Sequence, residues 1–173
     1  VCAPPLRKKE DQDCLWKGLA DGTIQTVSTD HCSFTTEQKK LGEGDFTKIP
    51  GGMPGAETRG TLIYTYGVDK GRITKEDMCR VLSENPAKLY GLYPRKGVIA
   101  PGSDADLVIM RTGVEDVITA KDQVQNVDYA PFEGTKVTGR VESVFLRGLQ
   151  AVKDGKVVEE KKGEFLKRGK YAL

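Results

Sequence analysis

Histidine is nearly missing from this 173-residue chain, which has one, against 27 Lys and Arg and 25 Asp and Glu. A catalytic metal site usually takes three protein ligands and keeps one position open, so the chain does not build a histidine-rich centre by itself. The four cysteines, at positions 2, 14, 32 and 79, include no C-x-x-C pair. That excludes zinc-ribbon spacing and a compact disulfide framework, and predicts four reduced thiols. An excess of one charge sign is missing too. The formal net charge is +2, and the slight basic bias of the C-terminal stretch is too weak to suggest a nucleic-acid groove. No uncharged apolar run approaches the roughly 20 residues a bilayer crossing needs, and no basic-then-apolar leader opens the chain. These absences predict a cytoplasmic protein with neither nucleic acid nor membrane as partner. Val1-Cys2-Ala3-Pro4-Pro5 reads as the end of a strand begun elsewhere, and so predicts a fragment.

The hydrophobic share is 38%, enough for a modest core. The 20 glycines fall mainly between periodic segments and act as punctuation. Residues 9–20 follow a helical pattern, with Asp11 or Asp13 as cap, Leu15, Trp16 and Leu19 on one apolar face, and Gly22 as stop. Residues 23–28 alternate and predict a short strand. Residues 34–55 are polar and rich in Gly and Pro, too long for a simple connection, and predict a functional loop. A helix carrying Leu62, Ile63 and Tyr66 follows Glu57. The next begins at Thr74, where Thr74-x-x-Asp77 approximates a capping box and Ile73 can staple to Met78. Asn85-Pro86 then predicts a fresh helix start, with Asn85 as N-cap. Beyond Gly97 the period changes to 2, with short β-like runs at 98–99, 107–110, 137–146, 149–152 and 156–158. Asp154-Gly155 supplies a hairpin turn between the last two.

Metal-capable groups cluster once, in Val27-Ser28-Thr29-Asp30-His31-Cys32. A carboxylate at the C-terminal end of a strand is where a β/α barrel places its catalytic groups. The same pattern also fits an aspartate ordering a turn beside a hydrogen-bonded loop histidine, and spacing leaves both readings open. Cys32 reads as a small buried filler, Trp16 as helix packing, and Glu57 with Arg59 as a loop ion pair.

Several segments follow one another in a distinctive order: Ala3-Pro4-Pro5-Leu6-Arg7, Ser28-Thr29-Asp30-His31-Cys32-Ser33-Phe34, and the stretch from Gly44-Asp45-Phe46 through Ile49-Pro50-Gly51-Gly52-Met53-Pro54-Gly55 to Arg59. Then come Asn85-Pro86-Ala87-Lys88-Leu89-Tyr90-Gly91 and Gly102-Ser103-Asp104-Ala105-Asp106. In this order they resemble the C-terminal part of the hydantoinase/dihydropyrimidinase family of cyclic amidohydrolases. The resemblance implies an α/β fold, the C-terminal portion of a β/α (TIM-type) barrel followed by strands of a small β-sandwich. A whole barrel takes about 250 residues, more than this chain holds. The implied layout is residues 1–93 as the last part of the barrel, 94–160 as the sandwich portion, and 161–173 as a tail making an oligomer contact. Residues 1–93 should then expose apolar surface.

The resemblance also implies two zinc ions whose other ligands, histidines and a carboxylated lysine, lie outside this chain. Asp30 would ligate one zinc and carry a proton from the attacking water to the leaving amide nitrogen. Ala3 and Gly51, where the family commonly has Ser and Asn, would contact a cyclic ureide or imide through main-chain groups. A homotetramer is implied as well. A non-catalytic scaffold relative is the alternative of a different class, and Asp30 argues against it. An allantoinase or dihydroorotase is the alternative of the same class, disfavoured by the resemblance at Ile49-Pro50-Gly51-Gly52 and Pro4-Pro5-Leu6-Arg7.

Overall fold

A computed structural model describes residues 1–159 and 163–173. The first half is helical. Helix α1 spans Lys9–Ala20, and its cap is built from inside, the Asp11 carboxylate accepting from the Lys8 N–H at 2.9 Å. Four-residue α2, Thr36–Lys39, starts a loop region that includes single 3-10 turns at Lys40–Gly42 and Phe46–Lys48. Helix α3, Arg59–Ile63, widens into a π turn at Tyr64–Val68. Helix α4, Lys75–Cys79, has the expected capping box, with the Thr74 hydroxyl accepting from Asp77 N–H and the Asp77 carboxylate from Thr74 N–H, both at 3.0 Å.

The helix does not restart at Asn85. Asn85 lies at φ −64° and ψ −42°, inside a continuous helical path from α4 through a π turn at Arg80–Glu84 into α5, Asn85–Leu89. The proline explains the wide turn. Pro86 brings no N–H and its ring would strike the carbonyl four residues back, and a π turn opens space at that point. Freed from capping, the buried Asn85 amide donates to the Gln25 carbonyl and to Gln25 Oε1, each at 2.8 Å.

Residues 23–28 form no strand: Thr23 and Ile24 lie in a bend, residues 25–28 are irregular, and no other described segment pairs with them in a ladder. Their backbone is held by helices instead: Ile24 N–H donates to the Gly18 carbonyl at 2.8 Å and Val27 N–H to that of Val81 at 3.1 Å. Residues 98–99, expected to be β-like, are also irregular, and Ile99 is exposed.

The second half is one antiparallel meander, β1 (Leu107–Val117), β2 (Lys136–Leu146), β3 (Leu149–Lys153) and β4 (Lys156–Val157), in that spatial order. It forms a single four-stranded sheet. Asp154 and Gly155 close β3 onto β4 with φ +49° and +73°, the doubly left-handed turn that matches strand twist. Arg147 and Gly148 do the same between β2 and β3, at φ +49° and +80°. Between β1 and β2, residues 118–135 leave the sheet in an excursion whose neck is closed by two bonds, Ile118 N–H to Thr135 C=O and Gly134 N–H to Ile118 C=O.

Two cores organise the chain. Leu19, Ile73 and Val81 are buried among Trp16, Ile24, Val27, Ile63 and Met78, so the expected packing role of Trp16 and the Ile73–Met78 staple region belong to one cluster. Ile118, Ala130 and Val137 form the second, packed against Leu62. Helix and sheet meet where Gly139 lies on the Tyr64 ring, a contact that a Cβ at Gly139 would close to 2.5 Å. Leu6, Leu41 and Phe46 stand more than two-thirds exposed, and Leu15, on the expected apolar face of α1, is exposed as well. The expected tail boundary at 160/161 lies outside the described residues. Further on, Gly169 N–H donates to the Gly91 carbonyl and Ala172 N–H to that of Lys88, so residues 169–172 lie along the end of α5.

Candidate active site

Asp30 follows the 23–28 segment, which three side-chain and main-chain anchors fix. Asn85 holds it at Gln25, the Val81 carbonyl at the Val27 N–H, and the Arg59 guanidinium, donating at 3.3 Å, at the Val27 carbonyl. Asp30 itself turns the chain at φ +45°, a left-handed corner that Asp tolerates better than most residues. Its side chain is exposed, and among the described residues no hydrogen bond or ion pair engages the carboxylate. His31 points elsewhere: its Nδ1 accepts from the N–H groups of Gly55 and Ala56, both at 3.1 Å. An Nδ1 that accepts leaves the proton on Nε2, so His31 ties the 55–56 turn to the Asp30 corner.

The three segments singled out in sequence meet in one loop cluster. Gly52 N–H donates to the Val1 carbonyl at 2.9 Å and Cys32 N–H to that of Met53 at 3.3 Å. Gly52, at φ +130°, lies so close to the Cys32 main chain that a Cβ would stand 2.4 Å from the Cys32 oxygen. Gly51 is exposed in this cluster, and a Cβ on it would meet open space; Ala3, two residues beyond Val1, is exposed as well. Lys39 reaches in from α2, its ammonium donating to the Pro50 carbonyl and, at 2.7 Å, to the Gly52 carbonyl.

Two readings of individual side chains need correction. Cys32 is exposed and is no buried filler; its carbonyl and Cβ make the close approach to Gly52. Glu57 and Arg59 do not pair with each other: Glu57 accepts from the N–H groups of Val124 and Gln125, while Arg59 is spent on Val27. Main-chain targets won over the nearer opposite charge. Sequence reasoning also missed Lys39 and Asp128, the latter accepting from Thr36 N–H at 2.8 Å, and gave Asn85 a capping role in place of its bond to Gln25. Their main-chain partners lie outside the local stretch that sequence patterns read.

Donor chemistry tests the implied zinc. Among the described residues no three His, Cys, Asp or Glu side chains come together as a metal site. One carboxylate, Asp30, does not fit a zinc ion on its own. The Gly102–Asp106 motif is not a second site either. Lys96 bonds both Asp104 and Asp106, Arg95 bonds Asp104 at 2.9 Å, and the Asp106 carboxylate accepts from Arg147 N–H at 2.8 Å. The motif clasps the β2–β3 turn onto the start of β1. The Lys96 hydrogen bond holds the Asp104 carboxyl below its ordinary value.

Asp30 thus stands exposed at a left-handed corner next to the loop that bears Gly51 and Gly52, and an antiparallel sheet follows in the α/β chain. The chain belongs to the amidohydrolase family, whose model matches residues 1–158. It is 49% identical over 173 residues to a D-hydantoinase of Geobacillus stearothermophilus, covering 99% of this chain and 37% of that protein. The crystal structure of a D-hydantoinase from Bacillus sp. AR9 superposes with TM-score 0.96 at 46% identity, over 100% of this chain and 38% of the other. A dihydropyrimidinase from Brevibacillus agri NCHU1002 gives 0.89 at 46% identity, over 91% and 34%. The chain thus spans little more than a third of the length of these relatives. The α/β fold and the resemblance drawn from the ordered motifs both stand.

Proposed function

We propose that this chain supplies the Asp30-bearing part of a cyclic amidohydrolase that hydrolyses the amide bond of a five- or six-membered cyclic ureide or imide, giving an N-carbamoyl amino acid. The observation that supports the reading is the pair of hydrogen bonds, Gly52 N–H to the Val1 carbonyl and Cys32 N–H to that of Met53, that ties together the N-terminal segment, the chain next to Asp30 and the chain next to Gly51, in a chain 49% identical to a D-hydantoinase. Asp30 Oδ takes the proton released as water attacks the ring carbonyl and delivers it to the departing nitrogen, so the C–N bond breaks with a neutral leaving group. The Ala3 and Gly51 main chain orients the ring by hydrogen bonds that a side-chain change leaves intact. Zinc belongs to the assembled enzyme in this reading. Its remaining ligands lie on polypeptide outside this chain, and the 173 residues alone are expected to open no ring even with zinc added. A cytoplasmic homotetramer completes the proposal.

The test is Asp30→Asn in the full-length protein. Asn keeps the size and tolerates the left-handed corner, so the variant isolates the loss of the base. The expected result is a drop in kcat of at least about 10²-fold on dihydrouracil or hydantoin, with the melting temperature unchanged. A variant as active as its parent refutes the assignment.

A further inference from the structure

The two adjacent glycines at 51 and 52 leave the loop that carries the substrate-facing main chain with little stiffness of its own. Glycine loses more freedom on being ordered than any other residue, and a loop that is ordered only when substrate arrives weakens binding by that cost. Lys39 addresses this. It is half-buried, its ammonium lies 5.2 Å from the centre of the Phe34 ring, and it donates to the carbonyls of Pro50 and Gly52, which flank Gly51 on either side. Hydrogen bonds from a charged donor are roughly twice as strong as neutral ones. The peptide groups between the two carbonyls therefore cannot rotate without breaking such a bond.

Lys39 is itself well fixed. The Thr35 hydroxyl caps α2 by accepting from Gln38 N–H at 3.2 Å, the Gln38 side chain accepts from Thr35 N–H at 2.8 Å, and Asp128 holds the Thr36 N–H. The loop is gripped from its other end by His31, whose Nδ1 takes the Gly55 and Ala56 N–H groups. Among the described residues Lys39 is the one ammonium that donates to the 50–52 carbonyls.

We propose that Lys39 is a positioning residue for the cyclic substrate: by holding both carbonyls around Gly51 it sets the orientation of the Gly51 main chain against the ring. This rests on the ring-opening reading above. Lys39 touches neither the reacting atoms nor Asp30, so its removal acts on binding and leaves the proton transfer alone.

The experiment compares Lys39→Met, which keeps the stem against Phe34 but has no donors, with Lys39→Arg, which keeps charged donors, both in the full-length protein with hydantoin and dihydrouracil as substrates. The expected outcome for Lys39→Met is a KM raised about tenfold with kcat within about threefold of the parent and an unshifted pH profile. Lys39→Arg should restore KM to within about threefold. A folded Lys39→Met with unchanged KM overturns the proposal, as does a loss confined to kcat, or an Arg variant as impaired as Met. If Lys39→Met does not fold, Lys39→Gln, with one amide donor, is expected to fall between the parent and a tenfold rise, and a parental KM overturns the proposal. If the parent protein opens neither ring, the functional reading fails separately. Amide hydrogen exchange at residues 51–53 then decides for Lys39: exchange about tenfold faster in Lys39→Met sustains it as the anchor of this loop, and unchanged exchange removes it.

Discussion

Alanine placed at Gly52, and separately at Gly51, gives a sharp check on how the loop cluster is built, because the two neighbours look alike in sequence and differ completely in space. At Gly52 the backbone sits at φ +130°, a region that side chains avoid at a cost of about 1–3 kcal/mol. The new Cβ would also stand 2.4 Å from the Cys32 oxygen and 2.7 Å from its Cβ, contacts no structure tolerates, so the loop must move. Moving it endangers the Gly52–Val1 and Cys32–Met53 hydrogen bonds, each worth about 1 kcal/mol. The expected destabilisation for Gly52→Ala is about 3–5 kcal/mol, and at about 2–4 °C per kcal/mol for a chain this size the melting temperature should fall by about 6–20 °C. At Gly51 a Cβ meets nothing, and Gly51→Ala should lie within about 0.5 kcal/mol of the parent. Differential scanning calorimetry on the two variants provides the comparison. Equal shifts, or a Gly52→Ala melting within about 2 °C of the parent, would refute the account of the loop.

Asn85→Ala strands the Gln25 carbonyl and side-chain oxygen without their donor and should cost about 2–3 kcal/mol; an unchanged urea midpoint would show that the 23–28 segment does not depend on that amide. The response to acid follows from depressed carboxyls. Asp77 is held below its ordinary 3.8 first by the Arg80 hydrogen bond and then by the Thr74 N–H, and Asp104 first by Lys96. Their folded values lie below their unfolded ones, so the stabilisation is complete above about pH 4 and is lost as pH falls through the folded values. Urea midpoints measured from pH 6 down to 3 should therefore decline below about 4, and less steeply in Asp77→Asn. A flat profile would mean these ion pairs contribute nothing.

What could be seen in the sequence was mostly what neighbours in the chain decide among themselves. Thr74 with Asp77, and Asp154 with Gly155, are local contracts whose chemistry is complete within four residues, and both formed as expected. Asn85-Pro86 misled because the same dipeptide serves a helix start or a helix interior, and only the distant Gln25 carbonyl, which claims the Asn85 amide, selects the second. Residues 23–28 have the alternation of a strand, yet a ladder needs a neighbour that no alternation supplies. Arg147-Gly148 escaped notice because arginine is an unusual first residue for its turn; the Asp106 carboxylate on its N–H supports it from 41 positions away. At the site, Asp30 stood out because carboxylates at element ends are chemically conspicuous. So did His31, as a hydrogen-bonded loop histidine, while Lys39 did not, since its partners are peptide groups that every residue possesses.

The excursion between β1 and β2 has a bearing on how this molecule comes together in time. Glu57 accepts from Val124 and Gln125, and Asp128 from Thr36, joining stretches 67 and 92 residues apart. Contacts of such span close large loops and are slow to be rewarded during folding. The segment bearing Gly51 and Lys39 is thus completed only after the distant meander has delivered its protruding arm, and a nascent polypeptide that stalls before residue 128 leaves that region unfinished.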